Sequence, residues 1–467
     1  MPCRSVDIAI IGAGSAGISA LKLVRRHTGN FLLIDGGALG TTCARVGCMP
    51  SKALVEIAAR YHDARSLHDR GVLAGPLPAV DRVAVMREVR RLRDHFSEHM
   101  IAQTRQLSER HFLQGHARFL DATTLDVDGE RIAARAVIVA TGSRPLLPPG
   151  WEALAPRLLQ SGQFFELPAV PTELAVVGLG SIGLELGQAA AILGARVSGV
   201  DLQRRLGCLS DPTAIRHALA ELNRTMDLHL GHHPRLEPAG ERLRLSFGDC
   251  RLEPEHLLVS SGRGRNLDRL GMDALATGRA IDPGSLQLGE LPVFVAGDSG
   301  GHQALLHEAI DDGQIAAANA LAFPHTRAYR RRVALQITFT QPQLATVGLP
   351  YAALDIHRAI IGEAPLATQG RALLGGGSGG VLRLYAEPRA GKLLGAELVA
   401  PQAEHLAHGI AAWLEAGLTV EQALRLPFYH PTLEEGLRTA LNGLAGKLPG
   451  GAARGPRLAP RDGSAGA

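Results

Sequence analysis

Two cysteines, Cys43 and Cys48, stand with four residues between them in the run Gly40-Thr41-Thr42-Cys43-Ala44-Arg45-Val46-Gly47-Cys48-Met49-Pro50-Ser51-Lys52. On successive turns of a distorted helix their Cα atoms come within the ~4.4 to 6.8 Å that a disulfide requires. Gly47 frees the backbone between them, and Pro50 fits a first helical turn. A helix N-terminus nearby favours thiolate over thiol. Dithiol–disulfide chemistry is therefore the first expectation. Zinc binding competes with it, although no second Cys or His pair lies nearby at a zinc-like spacing, and two inert buried thiols are the third alternative. Five cysteines in 467 residues are too few for a disulfide framework and direct attention to the one close pair. Far along the chain, Phe428-Tyr429-His430-Pro431-Thr432-Leu433-Glu434-Glu435 offers an imidazole with the ordinary pKa of a proton carrier. With 19 histidines in the chain, one ring alone decides little.

The elements that must position these groups are legible as a repeated unit. An apolar strand, Val6-Asp7-Ile8-Ala9-Ile10-Ile11, leads into Gly12-Ala13-Gly14-Ser15-Ala16-Gly17, a helix-like run to about Arg26, and a strand Phe31-Leu32-Leu33-Ile34 ending at Asp35. Glycines there permit a tight turn and close approach of backbone N–H groups to a pyrophosphate, and the acid can hold a ribose hydroxyl. The pattern recurs at Leu174-Ala175-Val176-Val177, Gly178-Leu179-Gly180-Ser181-Ile182-Gly183, and a strand ending at Asp201. Two such units imply two nucleotides, and an enzyme with both commonly moves a hydride between nicotinamide and flavin. Asp201 accepts from a ribose 2'-hydroxyl and repels a 2'-phosphate, which favours NAD over NADP, with Arg204 and Arg205 close enough to offset it.

Length and composition bound the rest. At 467 residues, 46% hydrophobic and 20% charged, the chain suits about three globular domains. The expected division is 1–149 for the first part of an FAD-binding domain, 150–270 for an NAD-binding domain, 271–330 for the returning part of the first, and 331–449 for an α+β domain. Residues 450–467, rich in Gly, Ala, Pro and Arg, are expected to be disordered. A net charge of +4 without a long basic block argues against nucleic acid. No apolar run approaches the ~20 residues of a membrane span. The strand beginning almost at residue 1 leaves no room for a signal segment, and the expectation is a cytoplasmic protein. The 49 basic residues include only Lys22, Lys52, Lys392 and Lys447 as lysines. A lysine inside the cysteine run is therefore a choice against the chain's preference for Arg.

The cysteine run resembles the active-site helix of the flavoprotein disulfide reductases, and the resemblance extends to about Ala445. It implies a glutathione reductase-like α/β fold with two Rossmann-like domains and a C-terminal α+β dimerisation domain, working as a homodimer. It implies that Cys43 exchanges with substrate while Cys48 faces the flavin, and that Lys52 lies near the flavin and pairs with Glu185. His430 becomes the acid–base catalyst, partnered by Glu435 and reaching the opposite subunit's site. Gly12, Gly14, Gly17, Asp35 and Asp298 would bind FAD and Gly178, Gly180, Gly183 and Asp201 the NAD, with Thr42, Thr141, Gly142 and Gly262 as further cofactor-binding residues. Cys48-Met49-Pro50-Ser51-Lys52 looks like the dihydrolipoamide dehydrogenases and mercuric reductases within the family. The chain has no cysteine after Cys250, where a mercuric reductase adds a C-terminal pair. The partner implied is a lipoyl domain of a 2-oxoacid dehydrogenase complex or a small dithiol or disulfide. Three positions depart from the pattern: Arg45 stands where Asn is usual, and Phe428-Tyr429 replaces His-Ala. Arg45 would depress the thiolate pKa further, and the aromatic pair would alter the dithiol channel.

Overall fold

The computed structural model describes residues 4–275, 278–376 and 379–449. The tail expected to be disordered lies outside them. Arg4–Ile11 is central to a seven-stranded sheet, pairing in parallel with Phe31–Asp35 on one side and Glu130–Val139 on the other. Phe112–Gln114 extends it beyond Phe31–Asp35, and Val293–Val295 returns from far along the chain to pair with Val137–Val139. These strands are buried on both faces, so they read as continuous apolar runs rather than alternating ones. Ile8 and Ile10 pack towards the helices Ser15–Val24 and Leu306–Ala322, while Ala9 and Ile11 face the opposite core.

A four-stranded parallel sheet forms the second nucleotide unit, in the order Asp227–Leu230, Arg196–Asp201, Glu173–Val177, His256–Val259. The helices Ser181–Ile192 and Pro212–Leu222 cover one face. A three-stranded antiparallel sheet covers the other, where Leu243, Leu245 and Phe247 pack on Ala175, Val177 and Val200. The chain enters and leaves this unit through Ser143–Pro145 and Arg263–Arg265, which pair antiparallel with each other. The third sheet has five antiparallel strands from Leu335 to Ala400, carrying the helices Ala403–Glu415 and Glu434–Lys447.

A saturated polar cluster joins the second and third sheets. Glu397, fully buried, accepts from Ser210 N at 2.7 Å, Ser210 Oγ at 2.6 Å, Asp211 N at 2.7 Å and Tyr351 N at 2.9 Å. Asp211 caps the helix Pro212–Leu222 and accepts from Arg383 Nε and the Tyr385 hydroxyl, both at 2.9 Å. Burial pushes the Tyr385 phenol far up, so it stays a donor. Buried carboxylates of this kind are tolerable only because every lone pair is used.

The cysteine run differs from a single distorted helix. It folds as two helices, Thr42–Val46 and Cys48–Asp69, broken at Gly47 with φ −132° and ψ −114°. A Cβ on Gly47 would meet the Thr42 carbonyl at 3.0 Å, a tight approach that favours glycine at the break. Cys48 thereby opens the second helix, where unpaired N–H groups favour negative charge.

Candidate active site

Thr41 caps the helix that carries Cys43, its buried hydroxyl accepting from Ala44 N at 3.1 Å. Its neighbour Thr42, the residue singled out in the sequence, is exposed. Cys43 is half-buried and Cys48 exposed, both as free thiols. They share one proton unequally. The Cys43 thiol donates to the Cys48 sulfur, lowering Cys48 from 9.0 to about 7 with help from the Lys52 charge, and the same bond with burial pushes Cys43 up. The cation that lowers Cys48 is thus Lys52 rather than Arg45, whose Nε is buried without a hydrogen-bond partner among the described residues.

Lys52 lies one helical turn after Cys48 and binds Glu185 Oε2 at 2.7 Å. Glu185 comes from the helix Ser181–Ile192, is only 4% exposed at its side chain, and also accepts from Phe339 N at 3.0 Å. The Lys52 ammonium sits 4.7 Å from the Phe339 ring centroid. One ion pair therefore ties together all three sheets beside the cysteines. A compact ammonium accepts the carboxylate and the ring face at once, in the place where this chain departs from Arg.

The two glycine loops are built alike. Gly12 has φ +108° and Gly178 φ +96°; a Cβ on Gly17 would lie 1.8 Å from the Gly12 carbonyl, and one on Gly183 2.0 Å from that of Gly178. Gly14 and Gly180 are the N-cap residues of their helices. Asp35 accepts from Ala13 N at 2.6 Å and Asp201 from Leu179 N at 2.7 Å, so each acid braces its own loop. These are two cradles that any Cβ would fill, each presenting a helix N-terminus, and they fit FAD and a second dinucleotide. Gly142 and Gly262 sit at the crossovers with φ +69° and +122°, each with open space where a side chain would be. Thr141 Oγ1 donates to Asn266 O at 2.8 Å, fastening the two crossovers to each other. Asp298, just after the returning strand, accepts from Ser143 Oγ, which in turn accepts from Arg263 Nε at 2.8 Å. Sequence reasoning missed Ser143, Arg263 and Phe339, none of which belongs to a motif.

His430 Nδ1 meets Glu435 Oε2 at 3.0 Å, and this bond holds the Glu435 carboxyl below its ordinary range. The His430 side chain is 81% exposed, its side-chain bonds run to Glu435, and it is not among the residues lining the cavity over Cys43. Phe428 turns inward against Trp413, while Tyr429 stays exposed, so only one of the two aromatic rings is free to shape a channel. A cavity of about 630 Å³ opens on Cys43, and another of about 360 Å³ lies beside Gly180, Asp201 and Arg205.

A family model described as pyridine nucleotide-disulphide oxidoreductase matches residues 6–313, and the dimerisation domain of the same family matches residues 335–441. The chain belongs to the pyridine nucleotide-disulphide oxidoreductases. Such an oxidoreductase uses FAD and NAD(P)H, and the dimerisation domain supports a homodimer. The chain is 31% identical to dihydrolipoyl dehydrogenase 2 of Haloarcula marismortui over 93% of its length and 95% of that protein's. It is 28% identical to a mercuric reductase of Lysinibacillus sphaericus, over 93% of its length and 82% of that protein's. Among solved structures, the flavoprotein disulfide reductase RclA of Escherichia coli superposes with TM-score 0.78 at 21% identity, covering 93% of this chain and 99% of that one. LpdA of Mycobacterium tuberculosis gives the same TM-score, 0.78, at 25% identity, again over 93% and 99%. The glutathione reductase-like fold is thus established, as is a dihydrolipoyl dehydrogenase-like flavoprotein disulfide oxidoreductase. No described helix of this oxidoreductase is long and apolar enough to cross a membrane.

Proposed function

We propose that this oxidoreductase oxidises a dihydrolipoyl dithiol to the lipoyl disulfide and passes the electrons to NAD. The observation that carries the reading is the division of labour between the two sulfurs: Cys43 faces a cavity, whereas Cys48 opens a helix and has its pKa lowered by the Cys43 thiol and by Lys52. A substrate thiolate attacks the Cys43 sulfur of the Cys43–Cys48 disulfide, and Cys48 leaves as thiolate, its departing charge favoured by the Lys52 ammonium and by its place at a helix N-terminus. The second substrate thiolate then attacks the mixed disulfide, releasing the lipoyl disulfide and Cys43. His430, oriented by Glu435, takes the proton of the attacking thiol; in the homodimer it would serve the opposite subunit. Bound FAD supplies the two-electron acceptor between the Cys43–Cys48 dithiol and NAD, which leaves as NADH. Gly12, Gly14, Gly17, Asp35, Thr42, Thr141, Gly142 and Asp298 would hold FAD. Gly178, Gly180, Gly183, Asp201 and Gly262 would hold NAD.

Asp201 supports NAD, since its carboxylate would stand against a 2'-phosphate. The division into 1–149, 150–270, 271–330 and 331–449 belongs to the same reading, as do a cytoplasmic setting and a lipoyl domain or small dithiol as partner. The deciding experiment measures NAD reduction by a dihydrolipoyl compound, with NADP and Cys48→Ser run alongside. NAD-specific turnover lost in the variant is the expected result. A flavin that NADH bleaches in a protein that ignores every dihydrolipoyl compound would overturn it.

A further inference from the structure

The segment that runs from Asp298 into the helix Leu306–Ala322 passes two cavities. Leu306 and Ile310 line the one over Cys43, while Gln303 lines the one of about 360 Å³ that also takes in Leu179 and Gly180 of the second glycine loop. Gln303 is half-buried, but its amide oxygen is fully buried and has no hydrogen-bond partner among the described residues. Its backbone carbonyl already accepts from Leu305 N at 2.9 Å. Buried polar atoms in folded proteins almost always find a partner, and one left without costs more than a made pair contributes. The cavity that Gln303 lines is the place where such a partner can enter. Asp201, on the same cavity, marks the adenosine end of a bound dinucleotide, and the helix N-terminus at Gly180 marks its pyrophosphate. The half beyond Gly180 is therefore the nicotinamide half, and it must come to the flavin. Gln303 stands five residues after Asp298, assigned to FAD above, and three before the wall of the Cys43 cavity, which is the flavin side of the nucleotide cavity.

From this placement we infer that the Gln303 side chain pairs with the carboxamide of the nicotinamide ring, its oxygen accepting from the carboxamide N–H, and that it thereby selects the pyridine nucleotide by that group. The inference rests on the reading of the second glycine loop as the nucleotide site. Two primary amides can each donate and accept, so they suit one another at a buried position. A ring held at its ribose and at its carboxamide cannot turn its other face to the flavin without breaking one of the two. A methyl ketone in place of the carboxamide keeps the acceptor and loses the donor, which makes the 3-acetylpyridine analogue of NAD the probe. A site built around a hydrogen bond rejects an analogue that lacks it, because the site's own polar atom is left buried and unpaired.

The test measures Kd by equilibrium dialysis on the oxidised, FAD-loaded dimer, without turnover, for NAD and for its 3-acetylpyridine analogue. The parent protein is expected to bind NAD more tightly by about tenfold, the size of one buried hydrogen bond lost from one side only. In Q303M the ratio should fall to about one, chiefly through lost affinity for NAD, and in Q303E, which keeps an acceptor, it should persist. A side chain that only shaped the wall would weaken both dinucleotides alike and leave the ratio unchanged, so the double comparison isolates the contact. Retained flavin absorbance reports that Q303M is folded; Q303L, which likewise offers no amide, takes its place if the colour is lost. Equal affinities in the parent protein, or a ratio that Q303M leaves intact, would overturn the inference while the nucleotide site stands. If only NADP binds, the NAD reading fails, and the same ratio measured with NADP and its acetylpyridine analogue decides the role of Gln303. If no pyridine nucleotide binds, the site reading falls and this inference falls with it.

Discussion

Replacing Cys43 by Ala removes the largest influence that lowers Cys48, the hydrogen bond from the Cys43 thiol. The burial that opposes it stays, and so does the weaker pull of Lys52. The Cys48 pKa should then climb from about 7 back towards 9.0. At pH 7 the thiolate fraction falls from about one half to about one in a hundred, a loss of roughly 50-fold. The more basic thiolate is also more nucleophilic, by about tenfold for two pKa units at a Brønsted slope near 0.5. Alkylation of Cys48 should therefore slow only about fivefold at pH 7 and become faster than in the parent protein above about pH 8, so that the two pH–rate curves cross. The sign follows from the thiol's charge: a lowered pKa keeps the anion present to lower pH, and restoring the pKa moves its appearance upward. The assay is iodoacetamide alkylation of the reduced protein with the adduct read at Cys48 by mass. Cys208, pushed up to about 11 by burial, serves as a slow internal reference. Coincident pH–rate curves for parent and variant would refute the account of Cys48.

Further outcomes follow from the same geometry. Gly17→Ala places a Cβ on the Gly12 carbonyl, and Gly183→Ala does so at Gly178. The first should purify without flavin colour, whereas the second should keep its colour and raise the KM for NAD at least tenfold, in a nucleotide titration. Glu185→Gln leaves the half-exposed Lys52 without its carboxylate, and the urea midpoint should fall by the equivalent of about 1–2 kcal/mol, discounted for that exposure. His430→Gln should slow dithiol oxidation by about 100-fold while flavin reduction by NADH persists in stopped flow. Tyr385→Phe withdraws one donor from buried Asp211 and should cost about 1–2 kcal/mol in the same denaturation experiment.

The parts of the fold and site that the sequence disclosed are those governed by local chemistry. Gly12, Gly17, Gly178 and Gly183 were legible because no other residue fits where backbone meets backbone, and Asp35 and Asp201 because they close the strands that follow. The pairing of Lys52 with Glu185 came from family resemblance; 133 positions separate the two residues and no periodicity joins them. The helix break at Gly47 was only half visible: glycine signalled freedom, but the choice of two helices over one bent helix depends on the contact with Thr42. Phe339, Ser143 and Arg263 acquire their places only when separate sheets meet, and the lining of the Cys43 cavity draws on several helices at once. Side chains that act across tertiary contacts leave no spacing to read.

The cluster around Glu397 and Asp211 has a consequence for how this molecule comes apart. Its donors and acceptors are divided between a helix cap in one sheet's territory and strands of another: Asp211 keeps Thr213 N and Arg383 keeps Glu363, but Glu397 loses Ser210 and Asp211 N, and Asp211 loses Arg383 and Tyr385, when the two separate. Pulling the two apart leaves two carboxylates and a phenol short of partners in one step. Neither body then has an inexpensive route to unfolding by itself, and heat should melt them as a single cooperative event rather than as successive steps. A fragment cut between residues 330 and 335 would carry Asp211 into water without Arg383 and Tyr385, which makes this junction a poor place to divide the gene.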